Sequence, residues 1–74
     1  MSQETQTVQA VIGTNAGKVW EVLNEKGPLT IDSIVRSTKL DSRSADLALG
    51  WLAREDKVSI SQDSRGKISK IALK

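Results

Sequence analysis

Along TNAGKVWEVLNEK, residues 14–26, apolar Ala16, Val19, Trp20 and Leu23 recur at the spacing that lines one face of a helix. Gly27-Pro28 stops the run, and Thr14 or Asn15 can cap its start by accepting orphan backbone N–H groups. The same stripe continues backward in phase through Ile12 and Val8. A helix starting near Val8 is therefore the alternative, with Gly13 and Gly17 as weak points inside it. Residues 1–13 are accordingly an N-terminal arm or a helix extension, and residues 14–74 the domain proper.

The next segments alternate between short links and helical periods. PLT, residues 28–30, is an extended link able to pair at a sheet edge. Thr30 caps a second helix over IDSIVRSTK, with Ile31, Ile34 and Val35 inward and Asp32 in its positive first turn. After Leu40, Asp41 or Ser42 caps a third helix that reaches about Asp56. Helices two and three are separated by only a few residues, the spacing of a helix-turn-helix.

From Lys57 the period changes to two. VSISQ alternates, SRGK supplies a turn with Gly66 able to take positive φ, and KIALK resumes the alternation. Pairing Ile60 with Ile71 and Val58 with Leu73 puts four apolar side chains on one face and leaves Arg65-Gly66 at the tip. Ile68 then falls on the other face unless a bulge shifts it or it touches something outside the hairpin. The predicted class is α+β: a winged helix-turn-helix of three helices and a two-stranded antiparallel wing.

Composition narrows the chemistry. The 74 residues hold no Cys and no His, which removes disulfides, thiolate nucleophiles, Cys-ligated zinc and the commonest general base. Asp, Glu, Ser and Thr remain, but without the residue that most often activates a hydroxyl, so no catalytic residue is assigned and the chain reads as a non-enzyme. No spacing of carboxylates suggests a metal site, and GTNAG follows no predicted strand, so it does not read as a phosphate-cradling loop. No cofactor is expected. The polar start MSQETQTVQA has no secretory pattern and no apolar run is long enough for a bilayer, so the expectation is a cytoplasmic protein with no membrane partner.

Net charge is only +2, yet residues 61–74 carry +3 and residues 1–60 carry −1. The positive excess belongs to the wing. Arg65, Lys67 and Lys70 around one turn are spaced to reach a phosphate backbone together, although a charged hairpin edge also simply keeps hairpins apart. The ribbon has no aromatic residue to stack on bases, which argues against a dedicated single-strand binder.

At this point the chain resembles a known group. IGTNAGKVWEVLNEKGPLTIDSI followed by LALGWLAREDKVSI is similar to the small, uncharacterised winged helix-turn-helix domains of bacteria and archaea, a domain of unknown function; AGKVW and ALGWLARED are the specific parts. The resemblance implies the fold and a homodimer. It brings no activity and no catalytic residues.

The third helix has two faces of different character. Ala45, Ala48, Leu49 and Leu52 make its core stripe, and Arg43, Asp46, Leu47, Gly50 and Arg54 lie opposite, where a recognition helix meets the major groove. Arg43 suits guanine, Ser42 and Ser44 suit phosphate near the helix N-terminus, and Leu47 suits a thymine methyl. Asp46 opposes this reading, no Asn or Gln is there for adenine, and both arginines can equally be solvated or paired with Asp46 and Glu55. Gly50 costs helix stability and invites a close neighbour, for which the ring of Trp20 is a candidate. Trp20 itself reads as core. Trp51, off the stripe beside Leu47, reads as a partner contact, joined by Val8, Val11 and Ile12 unless these fold back on their own domain.

Two functions follow. The first is a dimeric protein that binds duplex DNA through Ser42, Arg43, Ser44, Arg54, Arg65, Lys67 and Lys70, as a small transcriptional regulator would. The second keeps the scaffold but uses Val8, Val11, Ile12, Leu47 and Trp51 for self-association or a protein partner, without DNA.

Overall fold

Thr7 decides where the first helix starts. Its hydroxyl accepts from the Ala10 N–H at 3.0 Å, so α1 runs Val8–Lys26, the longer of the two helices the stripe allows. The computed structural model describes residues 7–74; residues 1–6 of the expected arm lie outside them. Gly27 ends α1 at φ 82°, donating its N–H to Leu23 O at 2.9 Å.

Thr30 caps α2 (Ile31–Thr38) through the Ser33 N–H at 3.2 Å, with Asp32 in the first turn. Lys39 in the left-handed region closes it, and Asp41 opens α3 (Ser42–Arg54). The end of α3 is a Schellman turn built without glycine. Asp56 takes φ 62° and donates to Ala53 O at 3.0 Å, while Lys57 N–H reaches Leu52 O at 2.9 Å. The chain then leaves directly into the wing.

The wing is β1 (Val58–Gln62) antiparallel to β2 (Ile68–Leu73), with Val58 opposite Leu73 and Ile60 opposite Ile71, the register that the alternation predicts. Between Ser61 and Gln62 the register shifts, so that Gln62 faces Ile68. This bulge returns Ile68 to the face of Ile60 and Ile71, resolving where it goes. At the tip Gly66 N–H closes on Asp63 O at 3.0 Å, and the Asp63 carboxylate accepts from Arg65 N–H at 2.9 Å and Lys67 N–H at 3.0 Å. On the other edge of β2, Leu29 and Ile71 exchange two backbone hydrogen bonds of 2.9 and 2.8 Å. The link before α2 is thus stitched to the wing.

The architecture is α+β, a winged helix-turn-helix of three helices and a two-stranded antiparallel sheet. Its core is aliphatic: Ala16, Val19 and Leu23 of α1 meet Ile34, Ala48, Leu49 and Leu52, with Val58 and Ile71 closing it from the wing. Trp20 does not join them; it is 38% exposed. At 100° per residue it lies about 70° from the centre of the stripe made by Ile12, Ala16, Val19 and Leu23, at the edge of the buried face. The expectation of a core Trp20 is corrected accordingly. Trp51 is half-buried and packs on the core's edge.

Candidate nucleic-acid interface and partner surface

Helix α3 packs chiefly on α1, and this divides its outer surface into three strips. Arg43, Leu47, Gly50 and Arg54 point outward, spaced by four, three and four residues so that they stack along one line. All four are exposed, Leu47 by 50%. Toward α1 turn Ser44, Leu47 and Trp51, and toward the wing Asp46 and Gly50.

The arginines expected on a reading helix are therefore on its free face. Among the described residues neither is in an ion pair, so pairing with Asp46 or Glu55 does not occur; Glu55 is bonded to Lys57 at 3.4 Å instead. Arg54 also sits in the last turn, where its charge complements the negative end of the helix. Ser42 and Ser44 lie in the first turn, beside Asp41. The Asp41 carboxyl is held below its ordinary value chiefly by the Ser44 hydroxyl, against the opposing effect of desolvation, with the Ser44 and Asp41 amides and the Arg43 charge adding to the lowering. A phosphate arriving at this helix end meets that carboxylate, and Ser44 also leans toward α1.

Gly50 has no close neighbour. A Cβ placed there finds nothing within 4 Å, which corrects the expectation of a ring or backbone packed against it. It faces instead a groove of about 310 Å³ between α3 and the wing, lined by Asp46, Leu49, Ile31, Ile60, Ile68 and Ile71. Ile60 and Ile68 are consequently exposed by 37% and 43%: Ile60 lies on the inner face that the alternation predicts, and Ile68 reaches it through the bulge, yet neither is covered.

The wing cations lie outside that groove. Lys70 pairs with Ser61, out of phase with Ile60 and Ile71, and so faces away from α3; Lys67 alternates with Ile68 to the same outer side. Arg65 occupies the tip. All three are exposed, and among the described residues none is in an ion pair. The predicted nucleic-acid residues thus form two groups, one on α3 and one on the wing.

The predicted partner residues come together more tightly. Val8, Val11, Ile12 and Leu47, with Asn15 and Ser44, enclose a largely apolar cleft of about 200 Å³ at the start of α1. Val8 is 69% exposed, so these side chains do not simply fold back on their own domain. Trp51 lies one step along the same seam, lining a second cleft with Gly13, Gly17 and Trp20. That second cleft, and the part played in it by Trp20, Glu21, Glu55 and Lys57, is not foreseen from sequence. Among the described residues no helix is long and apolar enough to cross a membrane, and no group of three potential ligands is placed to hold a metal ion.

A helix-turn-helix whose third helix is followed by a hairpin wing defines the winged helix-turn-helix class. Within it, the chain belongs to the family described as winged helix-turn-helix domain (DUF2582), which matches residues 1–70. It is 37% identical over 62 residues to an uncharacterised protein of Methanocaldococcus jannaschii, spanning 81% of this chain and 89% of that one. Among solved structures it is similar to a protein of Bacteroides thetaiotaomicron solved by NMR, with a TM-score of 0.79 and 42% identity over 90% of this chain and 79% of the other. It is also similar to the Zalpha domain of PKZ from Carassius auratus, crystallised in complex with Z-DNA, with a TM-score of 0.73 over 85% of this chain and 97% of that one. At 19% identity this last likeness shows the fold.

Proposed function

We propose that this domain binds duplex DNA, laying the outward strip of α3 against the major groove and the wing against the phosphate backbone. The observation that carries this reading is the distribution of free charge. The two ion pairs among the described residues, Lys57 with Glu55 and Lys74 with Asp56, involve neither α3's outward strip nor the wing tip. Arg43, Arg54, Arg65, Lys67 and Lys70 keep their charges for a partner. Arg43 and Leu47 then contact base edges, Ser42 and Ser44 the nearest phosphates, and Arg54 with the three wing cations the backbone on either side. The Carassius auratus domain, crystallised with Z-DNA, shows that a protein of this fold can carry a nucleic acid, which fold alone does not dictate for this chain. The role is that of a small cytoplasmic regulator and not of an enzyme.

A titration of labelled mixed-sequence duplex against salt tests this reading. Binding whose affinity falls steeply with salt, and which is lost in the triple variant Arg65→Ala, Lys67→Ala, Lys70→Ala, supports it. No binding at low salt from a folded protein rejects it.

The exposed cleft of Val8, Val11, Ile12 and Leu47 favours a second use of the same domain, as a homodimer or partner-binding module. Leu47 belongs to both surfaces, so the two uses compete for it. Sedimentation of Val8→Asp and Val11→Asp variants separates them: a dimer seated here dissociates, while DNA contacts by the wing persist.

A further inference from the structure

The protein's two aromatic residues, Trp20 and Trp51, are both absent from the fully buried core and both line one cleft between α1 and the C-terminal half of α3. A domain this small ordinarily spends its largest side chains on its core. Here the core closes with aliphatic residues and the indoles are left at the wall of an open space of about 380 Å³, within the size range of small-molecule sites. The α1 side of that wall is low because it is glycine. A Cβ at Gly17 would meet nothing within 4 Å, and one at Gly13 would only touch Trp51 at 3.9 Å.

The charges around the cleft have a sign. Glu21 from α1 and Glu55 from the end of α3 line it, against one cation, Lys57. Lys57 is bonded to Glu55 at 3.4 Å, leaving the Glu21 carboxylate without an ion-pair partner among the described residues. Two electron-rich rings beside an uncompensated carboxylate attract a cation of low hydration, because each ring face carries negative potential and the acid adds a full charge. Anions, including nucleic-acid phosphates, are repelled from the same place.

We propose that the cleft lined by Trp20, Trp51, Glu21 and Glu55 is a binding site for a small organic cation with a methylated ammonium head. The site is separate from the DNA-facing strip: Arg43, Leu47 and Gly50 do not line it. Lys57 is its internal competitor, holding one of the two carboxylates until a ligand displaces it.

The two tryptophans, in a chain without tyrosine, report on the site directly through their emission. The full chain is titrated with choline, and in parallel with the uncharged isostere in which carbon replaces the quaternary nitrogen. The expected result is a saturable change in emission with choline in the millimolar range and none with the isostere. Trp20→Leu, an exposed position that leaves Trp51 as reporter, weakens binding by at least about threefold. Glu21→Gln weakens it in the same way, and Lys57→Gln strengthens it. Gly17→Leu, which fills open space, abolishes it. Equal responses to choline and to the isostere overturn the proposal, as does an absence of saturation in the folded protein. Emission that changes with protein concentration alone means that a second copy covers the cleft, which also overturns a free-ligand site.

Discussion

Gly13 of α1 presents its bare Cα to the ring of Trp51 on α3, and a methyl added there would lie 3.9 Å from Trp51 Cζ2, at ordinary contact distance. The glycine is not required by close packing, and its φ is not in the left-handed region. Gly13→Ala therefore removes a helix penalty and adds a contact. We expect a gain of about 0.5–1 kcal/mol in unfolding free energy, read by denaturant titration with an unchanged slope. A loss of stability would show that α1 and α3 lie closer at Gly13 than the 3.9 Å separation allows.

Gly50 makes the contrasting case. It too sits inside a helix with open space around it, so Gly50→Ala should stabilise by about 0.5–1 kcal/mol. Unlike Gly13 it lies on the outward strip with Arg43, Leu47 and Arg54. If DNA approaches that strip, the methyl stands in its way, and affinity for duplex should fall while stability rises. A variant that gains stability and loses no affinity would place the DNA elsewhere.

Ile71 is fully buried and joins three parts of the molecule: it pairs with Ile60, exchanges backbone bonds with Leu29 and closes the core beneath α2. Ile71→Ala should cost about 2–5 kcal/mol, a large share of what a domain of this size possesses. Ile68→Ser, on an exposed side chain of the same strand, should cost less than about 1 kcal/mol. Comparable losses in the two variants, measured by thermal unfolding, would contradict the exposure of Ile68 on the groove wall.

How far these features were legible in sequence depends on which force sets them. The register of Ile60 with Ile71 and Val58 with Leu73 follows from period-two alternation, and the Thr30 cap and the Leu29 sheet contact follow from local chemistry. Lys39 and Asp56, both at φ 62°, were not legible. Lys disfavours that region and Asp only tolerates it, so the surrounding turns decide both positions. The bulge that returns Ile68 to the inner face is likewise decided by the hairpin as a whole. Trp20 borders the apolar stripe of α1, about 70° from its centre, and its size predicts a burial that the aliphatic core leaves unneeded. Of the candidate surfaces, the exposure of Leu47 opposite the α3 core stripe follows from helical phase, whereas its meeting with Val8, Val11 and Ile12, like the cleft beside it, required the packing of α1 on α3.

Asp41 gives the fold a dependence on acid. Its carboxyl is shifted below the ordinary value of 3.8 chiefly by the Ser44 hydroxyl, so the charged form is favoured in the folded state. A depressed carboxyl contributes stability that is complete above 3.8 and is lost as pH falls through its folded value. Thermal melts of the wild type and Asp41→Asn should therefore differ near neutral pH and converge in strong acid. Parallel curves across the whole range would mean that the Asp41 charge does not matter to the cap of α3.

Asp63 separates the wing's geometry from its charge. Its carboxylate accepts the Arg65 and Lys67 N–H groups and so shapes the tip, but it also places a negative charge among the three cations proposed to meet phosphate. Asp63→Asn keeps an acceptor oxygen in the turn and removes the charge; Asp63→Ala removes both. The Asn variant should melt close to wild type and bind duplex DNA more tightly at low salt, the gain shrinking as salt screens the charges. The Ala variant leaves two exposed N–H groups to water and should lose about 1 kcal/mol of stability. Its affinity then depends on whether a loosened tip still aligns Arg65 and Lys67. If Asp63→Asn binds DNA no better than wild type, the wing does not lie against phosphate, and its lysines serve only to keep the hairpin edge solvated.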